Sequence, residues 1–87
     1  MQQQRNEMTA ADLRELAAEV FEVDPGEITE QAGFYADLGI DSLQKIEFVV
    51  RIERQFGVRL TDAEAARLGN FADVLNLLRA RGVSIAE

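Results

Sequence analysis

The chain has 87 residues and contains no cysteine and no histidine. Without these side chains it has no disulfide bond, no zinc site of the usual ligands and no side chain that normally titrates near neutral pH. A self-sufficient enzyme is hard to build from the residue types that remain. We therefore expect a protein that is neither an enzyme nor a metalloprotein.

Basic residues are also scarce, since nine lysines and arginines stand against 16 acidic residues and give a net charge of −7. Such a chain repels the phosphate backbone of nucleic acids, which argues against a nucleic-acid-binding module. No apolar run of about 18 residues is present, so no segment is predicted to span a membrane. Residues 1–7 are polar and lack the apolar stretch of a signal peptide, and we expect a cytoplasmic location.

What remains is typical of one small globular domain. The apolar fraction of 47% and the charged fraction of 29% are ordinary for such a protein. A length of 87 residues also falls within the usual size of one domain. We predict a single domain over residues 1–87, with flexible ends at residues 1–8 and 83–87.

Apolar residues recur at helical spacing in the first third of the chain. They are Leu13, Leu16, Ala17, Val20 and Phe21. Thr9 begins a variant of the capping box just before them, which predicts a first helix from about Ala10 to Glu22. Asp41 is a good N-cap for a second helix, and Gly57 follows the last residue of its apolar stripe.

Two further helices are predicted in the last third of the chain. Thr61 opens a second capping box, and the short helix that follows is predicted to end at Gly69. Asn70 caps a last helix, which Gly82 closes. The predicted fold class is all-α, a four-helix bundle with three principal helices, a short third helix and a long loop between helices one and two.

The connection between the first two helices, from about Val23 to Ile40, has no sustained period. Long loops in small domains tend to be either functional or disordered. This loop carries several large apolar side chains, which favours an ordered loop held against the helices. We expect Phe34 and Tyr35 to anchor it rather than to touch a bound group.

The second helix has more apolar residues than one buried face needs. They are Leu43, Ile46, Phe48, Val49, Val50, Ile52 and Phe56. Part of this helix could meet a partner protein, or the helix could be central and buried on two sides. The sequence alone leaves both interpretations open.

The segment at residues 37–43 reads D-L-G-I-D-S-L and holds a candidate site. Ser42 follows the N-cap and is therefore the first helical residue, where its hydroxyl points toward solvent. The free backbone N–H groups at a helix start attract anions, so a phosphate attached to Ser42 would be stabilised. Taken by itself, the segment is also an ordinary turn followed by a helix start.

Segment 37–43 resembles the attachment motif of the acyl carrier proteins, whose pattern is D-x-G-x-D-S-L at the start of the second helix. Further residues that match the family are Glu47, Phe56, Asp62, Glu64 and Ala65. The resemblance covers residues from about 9 to 82 and includes the apolar last helix. It implies a four-helix acyl-carrier-like bundle.

The resemblance implies that Ser42 receives a 4′-phosphopantetheine group from coenzyme A, in a Mg-dependent reaction of a separate phosphopantetheinyl transferase. Acyl groups would then travel as thioesters on the thiol at the far end of this arm. The further partners it implies are acyl-loading and acyl-processing enzymes, such as an acyltransferase, a ligase or a ketosynthase. The protein itself is expected to be a monomer.

The resemblance also assigns roles to the neighbours of the serine. Asp41 caps the helix and helps to present the site to the transferase, although capping alone explains its position equally well. Gly39 is expected to allow a backbone turn that a Cβ atom would hinder. Leu43, which follows the serine directly, is also expected to belong to the cofactor site. The expected partner-facing residues are Leu43, Ile46, Glu47 and Val50. For Ile46, packing in the core is an equally good interpretation.

Charge separates this chain from the usual carriers of fatty-acid synthesis, which present a strongly acidic second helix. Residues 7–41 hold ten acids and one base, a net charge of −9, whereas residues 42–87 hold six acids and seven bases, a net of +1. Charge complementarity chiefly sets encounter rate and partner choice. We therefore expect a dedicated carrier of polyketide or related specialised biosynthesis, the alternative being that the mixed charge is only solvated surface.

Two other functions stay open at this point. Peptidyl carriers share the fold and the cofactor, but more often have Gly-Gly-His or Gly-Gly-Asp before the serine, where this chain has Gly39-Ile40-Asp41. Aminoacyl carriers can have the same Asp-Ser pair, so amino-acid cargo is not excluded. The other class is a helical protein-interaction module in which Ser42 is unmodified.

Overall fold

A computed structural model describes residues 8–86 of the chain. The elements are β1 (Met8–Thr9), α1 (Ala10–Phe21), a 3₁₀ turn (Pro25–Glu27), α2 (Ser42–Phe56), α3 (Asp62–Ala66), α4 (Phe71–Ala80) and β2 (Ile85–Ala86). Three principal helices, a short third helix and a long connection between α1 and α2 confirm the predicted all-α class. Within residues 8–86, no helix is both long and apolar enough to cross a membrane.

The four predicted N-caps are confirmed. Thr9, Asp41, Thr61 and Asn70 each accept a hydrogen bond from the backbone N–H three residues further on. In the first three, the side chain at that later position accepts a hydrogen bond from the N-cap backbone N–H, which completes a capping box. The helix starts are therefore set by local hydrogen bonds that the sequence specifies.

Two helix ends differ from the sequence prediction. α1 ends at Phe21, because Glu22 adopts the left-handed conformation with a φ of 60°. α3 ends at Ala66 and not at Gly69, because the chain there tightens to hydrogen bonds between residues three apart. This tighter turn carries Leu68 into the core, where it is 3% exposed.

Three phenylalanine rings in the core join the two long helices to the loop between them. The ring of Phe21 lies 5.1 Å from the ring of Phe34 and 5.1 Å from that of Phe48, and the last two rings are 6.1 Å apart. All three pairs meet edge to face, a favoured geometry for aromatic rings. The backbone N–H of Phe34 also donates to the carbonyl oxygen of Gly69 at 2.8 Å. The loop is therefore ordered, as predicted.

The predicted loop anchors have different outcomes. Phe34 is fully buried, which confirms it as an anchor, whereas Tyr35 is 51% exposed and the prediction for it is wrong. The physical reason is a turn at this point, in which the N–H groups of Asp37 and Leu38 both donate to the carbonyl oxygen of Gly33. Such a turn directs adjacent side chains to different sides, so only one of the two aromatic rings reaches the core.

A pair of short parallel strands joins the two ends of the described chain. Met8 pairs with Ile85, and Thr9 pairs with Ala86. Ile85 is 7% exposed and belongs to the core. Residues 8 and 85–86 of this strand pair fall within the ends predicted to be flexible, and that expectation stays a prediction. Residues 1–7 and 87, which the same expectation included, lie outside the described residues.

Candidate cofactor attachment site

Segment 37–43 lies where the long loop enters α2. The carboxylate of Asp37 accepts a hydrogen bond from the N–H of Gly33 at 2.6 Å, which closes the preceding turn. Gly39 has a φ of 69°, and glycine is favoured there because of this left-handed backbone conformation. A Cβ atom on Gly39 would meet nothing within 4 Å, so the constraint is conformational and not one of space. Ile40 is buried and fixes the point at which the helix begins.

The start of α2 is held by a reciprocal pair of hydrogen bonds. Asp41 Oδ1 accepts from the N–H of Gln44 at 2.8 Å, and Gln44 Oε1 accepts from the N–H of Asp41 at 3.0 Å. Gln44 Nε2 also donates to the carbonyl oxygen of Phe21 at 3.2 Å, which ties this helix start to the end of α1. Ser42, the first residue of α2, is exposed. Its hydroxyl therefore lies on a fixed helix terminus that other molecules can reach.

A groove of about 420 Å³ opens beside Ser42, which is among its lining residues. Its other lining residues come from the loop, from α2 and from the region of α3. They include Tyr35, Lys45, Ile46, Val50, Glu53 and Asp62. The remaining lining residues are the apolar Val49, Leu60, Ala65 and Ala66. The groove is thus a largely apolar space with a few charged groups on its walls.

Lys45 is the one charged residue that is buried among residues 8–86, with 8% of its surface exposed. Its ammonium nitrogen lies 5.3 Å from the centroid of the Tyr35 ring, within range of a cation–π interaction. Burial lowers the pKa of the Lys45 ammonium, while the nearby carboxylate of Asp73 acts in the opposite direction. Within the described part of the chain, Lys45 forms no ion pair and no side-chain hydrogen bond.

The apolar residues of α2 divide between two faces. Phe48 and Ile52 are 1% and 0% exposed and point into the core. Leu43, Ile46 and Val50 are 75%, 58% and 36% exposed. The structure therefore excludes burial of the helix on two sides, and it excludes core packing for Ile46.

The fourth predicted partner-facing residue, Glu47, belongs to a small network of surface charges. Its carboxylate lies 3.7 Å from a guanidinium nitrogen of Arg51, whose other terminal nitrogen lies 3.5 Å from a carboxylate oxygen of Glu19. Exposed ion pairs of this kind contribute at most about 1 kcal/mol. The helix carries three bases, Lys45, Arg51 and Arg54. Lys45 is buried and Arg51 is paired with acids.

Tyr35 and Lys45 line the groove, but the sequence did not predict either of them as a site residue. For Lys45 a signal existed, because it follows Ser42 by three residues and so shares its face of the helix. For Tyr35 the sequence carries no signal, because the loop has no period from which its direction could be read. The groove is therefore visible only in the folded chain.

A short helical bundle that exposes a serine at the head of its second helix, beside a groove, has the architecture of a carrier domain. Residues 11–78 match the family described as phosphopantetheine attachment site. The chain belongs to this family, that of the acyl carrier proteins. Its members are carriers of acyl groups on 4′-phosphopantetheine and not catalysts, which confirms the family, the cofactor and the non-enzymatic role expected from the sequence.

Individual relatives agree with this assignment. Polyketide-8 synthase acyl carrier protein 2 of Streptomyces avermitilis is 41% identical over 69 residues, which are 79% of this chain and 79% of that protein. The acyl carrier protein of Campylobacter curvus is 37% identical over 71 residues, 82% of this chain and 92% of that protein. The acyl carrier protein of Helicobacter pylori strain G27 is 36% identical over 67 residues, 77% of this chain and 86% of that protein.

Proposed function

We propose that Ser42 is the residue that carries 4′-phosphopantetheine. In this reaction the Ser42 oxygen forms a bond to the phosphorus atom next to pantetheine in coenzyme A, and adenosine 3′,5′-bisphosphate leaves. A separate Mg-dependent phosphopantetheinyl transferase takes up the proton of the hydroxyl. The observation that carries the proposal is an exposed hydroxyl on the first residue of α2, directly after a satisfied N-cap.

The residues around Ser42 fit this group. The backbone N–H groups of Ser42 and Leu43 have no hydrogen-bond partner among residues 8–86, and they lie at the positive end of the helix. A phosphodiester is the kind of anion that such a terminus stabilises. When bound, the group supplies the thiol on which acyl cargo is held. Asp41 and Gly39 would support it indirectly, by fixing the helix start and the turn before it.

The partners of a carrier need a surface on which to dock, and we propose that the exposed residues of α2 provide it. These residues are Leu43, Ile46, Glu47 and Val50. An apolar patch with a paired acid at its edge suits acyl-loading and acyl-processing enzymes, which must dock and leave repeatedly. We propose that the domain works as a monomer in the cytoplasm, where coenzyme A and the transferase act.

The pathway is proposed to be polyketide or related specialised biosynthesis. The net charge of +1 over residues 42–56, from three bases and two acids, supports this, because it differs from the acidic second helix of fatty-acid carriers. Similarity to a polyketide synthase carrier protein of Streptomyces avermitilis supports it as well. Efficient use of this protein as the main substrate of housekeeping fatty-acid enzymes would contradict the proposal.

The attachment site is tested by intact mass after incubation with coenzyme A, Mg²⁺ and a broad-specificity phosphopantetheinyl transferase. We expect a gain of one phosphopantetheine group in the wild type and none in Ser42→Ala. Ser84→Ala is the matched control, since Ser84 is the only other serine of the sequence, and it should be modified normally. A folded wild-type protein that gains no mass would instead favour the unmodified interaction module.

A further inference from the structure

Lys45 is buried and forms no ion pair among residues 8–86. Its exposed fraction is 8%, and its ammonium nitrogen lies 5.3 Å from the centroid of the Tyr35 ring. The carboxylate of Asp73 attracts the ammonium group without forming an ion pair with it. Burying a charged group is costly unless acceptors replace the water that it loses. A cation–π interaction offsets part of this cost but satisfies none of the three N–H donors. No acceptor among residues 8–86 forms a hydrogen bond with these donors, so they are available to a molecule bound in the groove.

Lys45 lies where its N–H donors could reach the cargo of the carrier. Lys45 lies three residues after Ser42 on the same face of α2, and both residues line the groove. Side chains of a helix lean toward its N-terminus, so the lysine leans toward the attachment residue. An acyl chain held on Ser42 that folds back into the groove would pass this ammonium group.

The charges of the groove decide which acceptor fits. Besides Lys45, two carboxylates line it, Glu53 and Asp62. Glu53 Oε2 accepts a hydrogen bond from the N–H of Leu60 at 2.9 Å, so its position is fixed. A cargo carboxylate would bring a third negative charge to this wall, whereas a neutral carbonyl oxygen accepts from Lys45 without that repulsion. A saturated chain would leave the ammonium group without any acceptor.

We propose that Lys45 selects the cargo, so that the groove takes acyl chains with a neutral keto oxygen in preference to plain alkyl chains. This inference rests on the proposed attachment at Ser42 and names the substrate class of that site. The lysine acts by hydrogen bonding to the chain, and no bond to the cargo is formed or broken. The same groove without its ammonium group would favour alkyl chains.

The test uses a set of chains of equal length on the isotope-labelled protein. Octanoyl, 3-oxooctanoyl, 5-oxooctanoyl and octanedioyl groups are loaded as amide-linked coenzyme A analogues, and loading is checked by intact mass. Chemical shifts of the Lys45 side chain and of the amides of Val49, Leu60 and Ala65 then report entry into the groove. We expect the keto chains to shift these signals and the octanoyl chain to leave them near their values in the unloaded holo-protein.

Two variants with the same change in charge separate selection from general electrostatics. Lys45→Met should remove the advantage of the keto chains and allow octanoyl to enter, and its fold is checked by amide signals outside the groove. Arg51→Met is the matched control, because Arg51 is on the same helix but does not line the groove. In this variant the keto chains should still cause larger chemical-shift changes than octanoyl, as in the wild type.

In the wild type, equal chemical-shift changes from octanoyl and keto chains, or the largest changes from octanedioyl, would overturn the proposal. So would a Lys45→Met variant in which the keto chains still cause larger changes than octanoyl. A Lys45 signal that the phosphopantetheine arm alone shifts fully would overturn it as well. Failure of the attachment at Ser42 is recognised separately, since no mass is then gained. In that case the same acyl groups, as amides of N-acetylethylenediamine, are titrated into the unmodified protein. The keto forms should still bind the groove more tightly than the alkyl form, and equal binding would refute the inference.

Discussion

The two apolar faces of α2 differ in what covers them and not in their chemistry. Phe48 and Ile52 are 1% and 0% exposed, whereas Leu43 and Ile46 are 75% and 58% exposed. On the first face, the rings of Phe21 and Phe34 pack directly against the helix. An apolar stripe on a helix therefore predicts contact, but the contact can be with another molecule.

The one charged residue that is buried in the described range 8–86 adds to this contrast. Lys45 lies buried on a helix that leaves large apolar side chains in solvent, which reverses the usual distribution of charged and apolar groups. Stability alone would favour the opposite arrangement, with the lysine exposed and Leu43 or Ile46 covered. The docking of partners proposed for the exposed face and the cargo proposed for the groove would account for this pattern.

The largest effect is expected from a matched pair of isoleucines on this helix. Ile52→Ala removes a fully buried side chain and should lower the free energy of unfolding by about 2–5 kcal/mol, because a cavity is left in the core. Ile46→Ala makes the same chemical change on the exposed face and should cost about 0.5 kcal/mol or less. Urea unfolding of both variants, followed by circular dichroism, measures the difference. Equal losses would show that the two faces are not distinct in the free protein.

A smaller effect, on function and not on stability, is expected for the most exposed residue of the second face. Leu43→Ala should leave the free energy of unfolding nearly unchanged but lower kcat/KM for the phosphopantetheinyl transferase by about tenfold, as loss of an apolar anchor in an interface does. Gln55→Ala, at an exposed position near the other end of α2, is the control and should keep the wild-type value. An unchanged kcat/KM for Leu43→Ala would exclude this face from docking on that enzyme.

Features fixed by local hydrogen bonds could be predicted from the sequence. The N-caps of all four helices were correct because each depends on two residues three positions apart. The attachment motif was recognisable for the same reason, since Gly39, Asp41 and Ser42 lie within four residues of one another. Burial of Phe34 followed from the need to cover a large apolar group in a loop.

Features fixed by distant parts of the chain could not be predicted. The strands pair Met8 with Ile85, and two residues per strand are too few to show a period. The apolar surface predicted for α2 is wide enough to include both Ile46 and Ile52, but its width does not say which part the rest of the chain covers. The burial of Lys45 was also missed, because its position depends on Tyr35 in a loop without a pattern.

The smallest effect is expected at Asp41, where capping and presentation of the serine can be separated. Asp41→Ala removes the acceptor for the Gln44 N–H and should cost about 1 kcal/mol of stability, whereas Asp41→Asn keeps an acceptor in place. If capping alone explains Asp41, the asparagine variant is modified at Ser42 at the wild-type rate and the alanine variant more slowly, because only the latter loosens the helix start. We expect this order from initial rates of phosphopantetheine transfer. An asparagine variant as slow as the alanine variant would show instead that the transferase uses the charge of the carboxylate, and that the residue has a role beyond the fold.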